Sequence, residues 1–408
     1  MQENWKKNII LFLVSQTISL FGSSLVQYAI TWYITLKTQS GFMMTIAIIC
    51  GFLPTFFLSP FAGVLADRYN RKAIIILSDA LIAISTLILA IVFLMGYNSM
   101  WLLFLTLAIR ALGAGIQTPA VGAVLPQIVP EDKLTRVNAI NSSVQSLVFI
   151  AAPMLSAALL TMTTLEIVFF IDVITAIIAI LTLILFVKVP SHKKALEKEN
   201  ITYYIDLKEG IKYINSNKFV KNFLMFYAVF MFLIVPSSFL TPLQVTRNFG
   251  EDIWRLSAIE IIFAVGMIIG GVIMTAWGGL NNRVHTMALA SFAVAVCTVL
   301  LGVVPIFWLY IAVMGVFGIL IPLFNTPSTV LIQEKVDSNY LGRVFGVFGM
   351  ISSSIMPLGM LIFGPLADMI KIEWLLIGTG ILMIIISFFL IYNKTLVEAG
   401  NPKVQTDE

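Results

Sequence analysis

Long apolar runs separated by short polar stretches repeat from one end of the chain to the other. They fall at roughly 9–35, 42–66, 73–95, 100–123, 137–161, 164–188, 219–245, 255–278, 284–304, 306–332, 341–366 and 373–393. A hydrocarbon core of ~30 Å takes about 20 helical residues, so the pattern predicts twelve membrane-spanning helices. The longest polar stretch, 189–218, divides them six and six. The expected organisation is a six-helix bundle over 1–188, a cytoplasmic central loop over 189–218, and a second six-helix bundle with a cytoplasmic tail over 219–408. Late in that loop Leu207, Ile211 and Ile214 share one helical face, with Lys208, Glu209 and Lys212 elsewhere. That spacing suits a short amphipathic helix on a membrane surface; a solvated linker is the alternative.

Composition narrows the class further. Of 408 residues 59% are hydrophobic and 11% charged, against roughly 25% charged in soluble domains. The net charge of +4 is scattered over loops, which argues against a nucleic-acid partner. Cys50 and Cys297 lie inside apolar runs and His192 and His285 in loops, so no disulfide framework or metal site is expected. The chain carries no phosphate-binding glycine loop. No cofactor or nucleotide is therefore expected, and an ion gradient has to supply the energy. One charge moved through ~100 mV is worth ~2.3 kcal/mol, about 50-fold in a distribution. The first run follows Lys6 and Lys7 and is too long for a signal-peptide core, so it reads as a retained span.

The tightest charged loop is Gly63-Val-Leu-Ala-Asp-Arg-Tyr-Asn-Arg-Lys72, which sets Asp67, Arg68, Arg71 and Lys72 between the second and third runs. Gly63 permits close helix contact, and Asn70 is expected in the left-handed conformation of a tight turn. With this loop inside, twenty Lys and Arg face the cytoplasm and Lys37, Arg247, Arg255 and Lys371 face outward. The positive-inside rule then puts both termini in the cytoplasm. The stretch resembles the loop motif of the major facilitator superfamily, Gly-x-Leu-Ala-Asp-Arg-x-Gly-Arg-Lys, at nine of ten positions, with Asn70 in place of Gly. The resemblance implies an all-α membrane protein, twelve transmembrane helices in two pseudo-symmetric six-helix bundles. It also implies a conformational lock. Asp67 would meet the start of the eleventh span near residues 342–344, and Arg68, Arg71 and Lys72 would pair with cytoplasmic acids.

The halves echo each other. Gln117-Thr-Pro119 answers Asn325-Thr-Pro327, Arg136-Val137 answers Arg343-Val344, and Pro153 answers Pro357. Two related bundles suit alternating access around a midplane site. The ionisable residues inside spans, Asp79, Arg110, Asp172 and Glu260, are the candidates for proton coupling. Asp79, near the cytoplasmic end of its span, reads more readily as structural. Arg110-Ala-Leu-Gly113-Ala-Gly115 resembles the superfamily's fourth-span motif, which implies a role in proton transfer. The antiporter motif is degenerate at Ile150-Ala-Ala-Pro153, where alanines replace glycines, and so is the second-half loop at Gly278-Gly-Leu-Asn-Asn-Arg283. Gln16, Gln117, Asn141, Gln145, Phe226, Phe230, Glu260 and Asn325 are the candidates for the substrate cavity. Scattered amides with abundant Phe and Met suit a bulky amphipathic solute, while Gly266-x-x-x-Gly270 reads as a helix-packing device.

Gly51-Phe-Leu-Pro54, Gln117-Thr-Pro119-Ala with Pro126, Gln333-Glu-Lys335 and Tyr340-Leu-Gly-Arg-Val-Phe345 resemble the macrolide-efflux branch of drug exporters. The resemblance implies proton-driven efflux of hydrophobic drugs such as macrolides from the cell membrane; one chain holds both halves of the predicted pathway, so a monomer is expected to function. Export of an endogenous siderophore or lipid-like metabolite is the alternative, and a non-transporting membrane protein is the weakest reading. For the expected lock, Asp67→Asn should leave membrane insertion intact and lower transport. Normal transport by a well-expressed variant would remove the lock from the reading.

Overall fold

The computed structural model describes residues 5–189, 212–337 and 340–401; within its helices the side chains of 59–61, 63, 64, 66–68, 131, 135 and 342 are outside that description. The described residues form helices and no strand. These are α1 (Trp5–Thr38), α2 (Gly41–Arg68), α3 (Arg71–Leu94), α4 (Met100–Ile128), α5 (Leu134–Met162), α6 (Leu165–Phe186), α7 (Lys218–Leu233), α8 (Val235–Phe239) and α9 (Thr241–Phe249). There follow α10 (Ile253–Trp277), α11 (Arg283–Val303), α12 (Phe307–Lys335), α13 (Leu341–Met369), α14 (Ile372–Tyr392) and the short α15 (Lys394–Gly400). Eleven of them are long and apolar enough to cross a membrane.

The remaining predicted span, 219–245, is three consecutive helices rather than one. Pro236 and Pro242 stand in the first turns of α8 and α9. Proline has no N–H to give the turn before it, which makes it a starter of helices and an interrupter of long ones. The third span differs from expectation at its start. Asn70 is extended (φ −65°, ψ 110°) and caps α3, its side chain accepting from the Ala73 N–H. It ends the loop as an N-cap and has no need of the left-handed conformation. Of the expected amphipathic stretch, 212–216 is helical, while Leu207 and Ile211 lie outside the described residues.

The helices sort into two units: described residues within 1–38 and 46–198 form the first, and those within 39–45 and 199–408 the second. In the first, α3 packs on α4 and α6 while α1 packs on α5 and α6. In the second, α11 packs on α12 and α14, and α10 on α12. Long apolar side chains face outward. On α6, Ile174, Ile177, Ile178, Leu181 and Leu185 are exposed, whereas Phe169, Asp172, Ala176, Ala179 and Leu183 are buried. With lipid as solvent, apolar surface gains nothing by hiding, and the packed face is free to carry the small and polar residues.

Backbones approach closely where glycines allow it. A Cβ on Gly266 would stand 2.3 Å from the Gly315 carbonyl oxygen, one on Gly270 2.1 Å from that of Ile319, and one on Gly318 2.4 Å from that of Phe263. The Gly266/Gly270 pair is thus the packing device its spacing suggested, joining α10 to α12. In the first unit, Gly115 faces the Thr55 backbone, and the Thr55 hydroxyl donates to the Ala111 carbonyl at 2.7 Å. Gly270→Val should therefore lower the thermal unfolding midpoint in detergent, at a cost of about 1–3 kcal/mol for overpacking against backbone. Gly271→Val, where a Cβ meets nothing within 4 Å, should leave the midpoint unchanged.

Candidate functional site

Four helices of the first unit converge on a buried ion pair. Arg110 of α4 and Asp172 of α6 are 4% and 1% exposed and meet at 2.5 Å. Thr86 of α3 donates to the same carboxylate oxygen at 3.0 Å and accepts from Arg110. The second Arg110 terminal nitrogen donates to the Ser23 carbonyl of α1 at 2.9 Å, and the Ser23 hydroxyl lies 3.4 Å from the other Asp172 oxygen. The guanidinium is thereby held by a carboxylate, a hydroxyl and a carbonyl. A fork of donors in fixed geometry suits such a site better than a point charge does. Arg110 and Asp172, separate candidates in the sequence, thus form one group.

A second cluster lies two turns along the same helices. Asp79 of α3, 1% exposed, accepts with Oδ1 from the Ser19 hydroxyl at 2.5 Å and from the Gln117 amide at 2.8 Å. The Gln117 amide also lies 3.4 Å from Gln16 Oε1. Asp79 Oδ2 and Gln16 Nε2 are buried without a partner among the described residues. Gln16, Ser19 and Ser23 follow i, i+3, i+7 spacing on α1, and Asp79 with Thr86 and Arg110 with Gln117 are each i, i+7. Residues so spaced share a helical face, which strings both clusters into one polar spine through an otherwise apolar unit. Asp79, expected as a structural residue, is thus grouped with two of the cavity candidates.

In the second unit Glu260 of α10 is partly buried, and its carboxylate has no hydrogen-bond or ion-pair partner among the described residues. Phe226 and Phe230 of α7 do not line open space. They are 3% and 0% exposed and pack on Phe324 of α12, Phe230 at 4.5 Å between ring centroids. Their place is the packed interior of the unit, a correction to their reading as cavity residues. Asn141 is partly buried, and Gln145 on α5 and Asn325 on α12 are exposed. An exposed amide within a span belongs on a water-lined face rather than against lipid. No group of three or more His, Cys, Asp or Glu suited to a metal occurs among the described residues.

Residues 12–360 match the sequence profile of the Major Facilitator Superfamily. The chain belongs to that superfamily. Macrolide efflux protein A of Streptococcus pyogenes is 32% identical over 386 residues, covering 94% of this chain and 95% of its own. The Enterococcus faecalis protein of that name is 32% identical over 312 residues, 76% of this chain and 96% of its own. Among solved structures, the nucleoside transporter NupG aligns with a TM-score of 0.67 at 14% identity, over 96% of this chain and 98% of NupG. A bacterial homologue of the iron transporter ferroportin gives 0.67 at 12% identity, over 95% and 99%. At such identities these structures speak for the fold alone.

In this superfamily member the loop at 63–72 is seen in part. The side chains of Gly63, Asp67 and Arg68 lie outside the described residues, and with them the expected meeting of Asp67 with residues 342–344. Arg71, 9% exposed, donates to the Ala123 carbonyl at 2.7 Å. Lys72 donates to the Ile184 and Val187 carbonyls at 3.3 and 2.9 Å. It caps the end of α6, where unpaired carbonyls and the helix dipole favour a cation. This corrects its expected pairing with an acid. Sequence reading passed over Ser19, Ser23 and Thr86, because hydroxyls are common within spans; the i, i+7 relation of Thr86 to Asp79 was the available signal.

The ion pair makes a sharp prediction. Arg110→Gln or Asp172→Asn alone leaves one buried charge without its partner, at a cost of about 3–5 kcal/mol. Each single variant should fall in yield and detergent melting temperature, and the double variant should recover most of both. Additive losses in the double variant would mean the two residues do not act as a pair.

Proposed function

We propose that this transporter exports bulky hydrophobic or amphipathic compounds, macrolide antibiotics in particular, by alternating access. The observation that carries the reading is the 32% identity to macrolide efflux protein A across 94% of the chain. The proton gradient is the proposed energy source, with no cofactor. The cell membrane is the proposed site of action, both termini cytoplasmic as the distribution of Lys and Arg favours. One chain carries both halves of the proposed pathway, so a monomer suffices.

Three acids divide the proposed work. Glu260, without a partner among the described residues, meets a proton or the ammonium of a basic drug in this reading. Asp172 exchanges its bond to Arg110 for a proton as the helices shift, since a guanidinium nearby drives a proton off a carboxyl. Asp79, one oxygen of which has no partner among the described residues, is the third acid proposed to take up a proton. Export of an endogenous metabolite, siderophore or lipid-like, is the second reading. It draws on the 23% identity over 398 residues to the Staphyloferrin A transporter of Staphylococcus aureus.

The test is accumulation of a labelled macrolide in cells with and without the protein, before and after a protonophore. Lower accumulation that collapses with the protonophore is the expected result. Glu260→Gln should then raise accumulation toward that of cells lacking the protein, at unchanged membrane expression. No difference between the cells at verified expression would remove macrolides from the reading and leave the endogenous metabolite.

A further inference from the structure

One seam in the first unit is left open. α3 and α4, joined by residues 95–99, pack on each other, yet a cleft of about 280 Å³ lies between them. Its floor includes Ser85 and Thr106, short side chains in helices otherwise rich in leucine and isoleucine, together with Leu89; all three are buried. Its walls are Ile84, Ile88 and Leu105, all exposed. An exposed apolar wall on a membrane-spanning helix faces lipid, so the cleft opens sideways into the bilayer. From Leu81 to Val92 it follows α3 for roughly 16 Å at 1.5 Å per residue.

The floor is not wholly apolar. A hydroxyl inside a span ordinarily donates to a carbonyl of its own helix. Ser85 does so to Ile82 at 2.7 Å, Thr17 to Leu13, Thr31 to Gln27 and Thr182 to Ile178. Thr106 does not. It is 6% exposed, lines the cleft, and its hydroxyl has no hydrogen-bond partner among the described residues. In hydrocarbon there is no water to satisfy that group, and a donor left unmade is costly. The occupant of the cleft therefore has to be slender and apolar and has to carry an acceptor oxygen near one end. Trp101, five positions before Thr106 on α4, and Tyr97 are both exposed and mark the interfacial aromatic belt. Thr106 lies roughly 7.5 Å along the helix from Trp101, just beneath that belt, which is where an acyl chain begins at its ester.

We propose that the cleft between α3 and α4 binds one acyl chain of a phospholipid, with the Thr106 hydroxyl donating to the ester carbonyl of that chain. The chain fills a void that would otherwise cost its lining their dispersion contacts. Sites for drug-sized molecules run to ~300–1,000 Å³, so the cleft is small for a bulky solute and sized for a single chain. Ser85 precedes Thr86 and Thr106 is one turn from Arg110; the bound lipid thus braces the two helices that bring Thr86 and Arg110 to the ion pair. The proposal rests on the chain spanning a membrane and is independent of transport and its cargo.

Two probes test it, phosphatidylglycerols with a diazirine-bearing chain attached by an ester in one and by an ether in the other. Each is mixed at the same mole fraction into liposomes of ether-linked phospholipid that hold the full chain, and crosslinks are located by mass spectrometry. The ester probe should label residues 81–109 about 2–10-fold more than the ether probe, the effect of one hydrogen bond between neutral groups. Both should label the exposed face of α6, at Ile177 and Leu181, equally, and labelling there reports the folding of each variant. Thr106→Val should bring ester labelling of the cleft down to the ether level. Ser85→Leu, which sets a branched side chain in the cleft, should remove the preference, while Thr182→Val should leave it unchanged. Equal labelling of the cleft by the two probes in the unmodified protein would overturn the proposal, as would an ester preference that survives Thr106→Val. Loss of the preference on adding a macrolide would give the cleft to the drug and overturn the lipid.

Discussion

A guanidinium buried in a bundle that lipid surrounds has no water to fall back on, and everything around Arg110 follows from that. Its charge needs a carboxylate, so α6 has to bring Asp172 within reach; its remaining donors need oxygens, so α1 offers the Ser23 carbonyl and α3 the Thr86 hydroxyl. Satisfying one side chain in this way fixes four helices relative to each other. It also explains why a chain so rich in leucine and isoleucine keeps serine, threonine and glutamine on the buried faces of α1, α3 and α4. Hydrocarbon outside makes polarity inside the more specific adhesive.

The two units solve the same packing problem with different means. Where the first has a polar spine, the second has a stack of rings, Tyr227 and Phe230 against Phe324, with the Tyr227 hydroxyl 3.1 Å from that of Ser352. Both bring backbones together through glycine, α4 to α2 at Gly115 and α10 to α12 at Gly266 and Gly270. Equivalent pairs of helices therefore meet in both units although the chemistry of their cores differs. Glu260, in the second unit, has no partner among the described residues to match the Arg110–Asp172 pair of the first.

Much of this was legible in the sequence because hydropathy is a one-dimensional signal. The all-helical membrane fold and the glycine contact at 266–270 needed only local reading. The break in the seventh span was readable in principle, but an averaged apolar run conceals the two prolines that restart the helix. Asn70 misled because a loop asparagine can serve equally as an N-cap or as a left-handed turn residue, and the choice depends on whether the Ala73 N–H is within reach. Pairings were harder. Arg110 and Asp172 are 62 positions apart, and nothing in either neighbourhood announces the other. Phe226 and Phe230 have the composition of a ligand pocket and the location of a core, which only packing distinguishes.

The glycine seam between α10 and α12 has a consequence for how recognition can vary. With carbonyl oxygens of α12 sitting where side chains of α10 would otherwise stand, neither helix can rotate or slide without collision. Glu260 on the one and Asn325 on the other are consequently held in fixed register, like two teeth cut from a single key blank. On the proposed function, a relative that handles a different solute has to recut those teeth one residue at a time, because the blank itself does not bend.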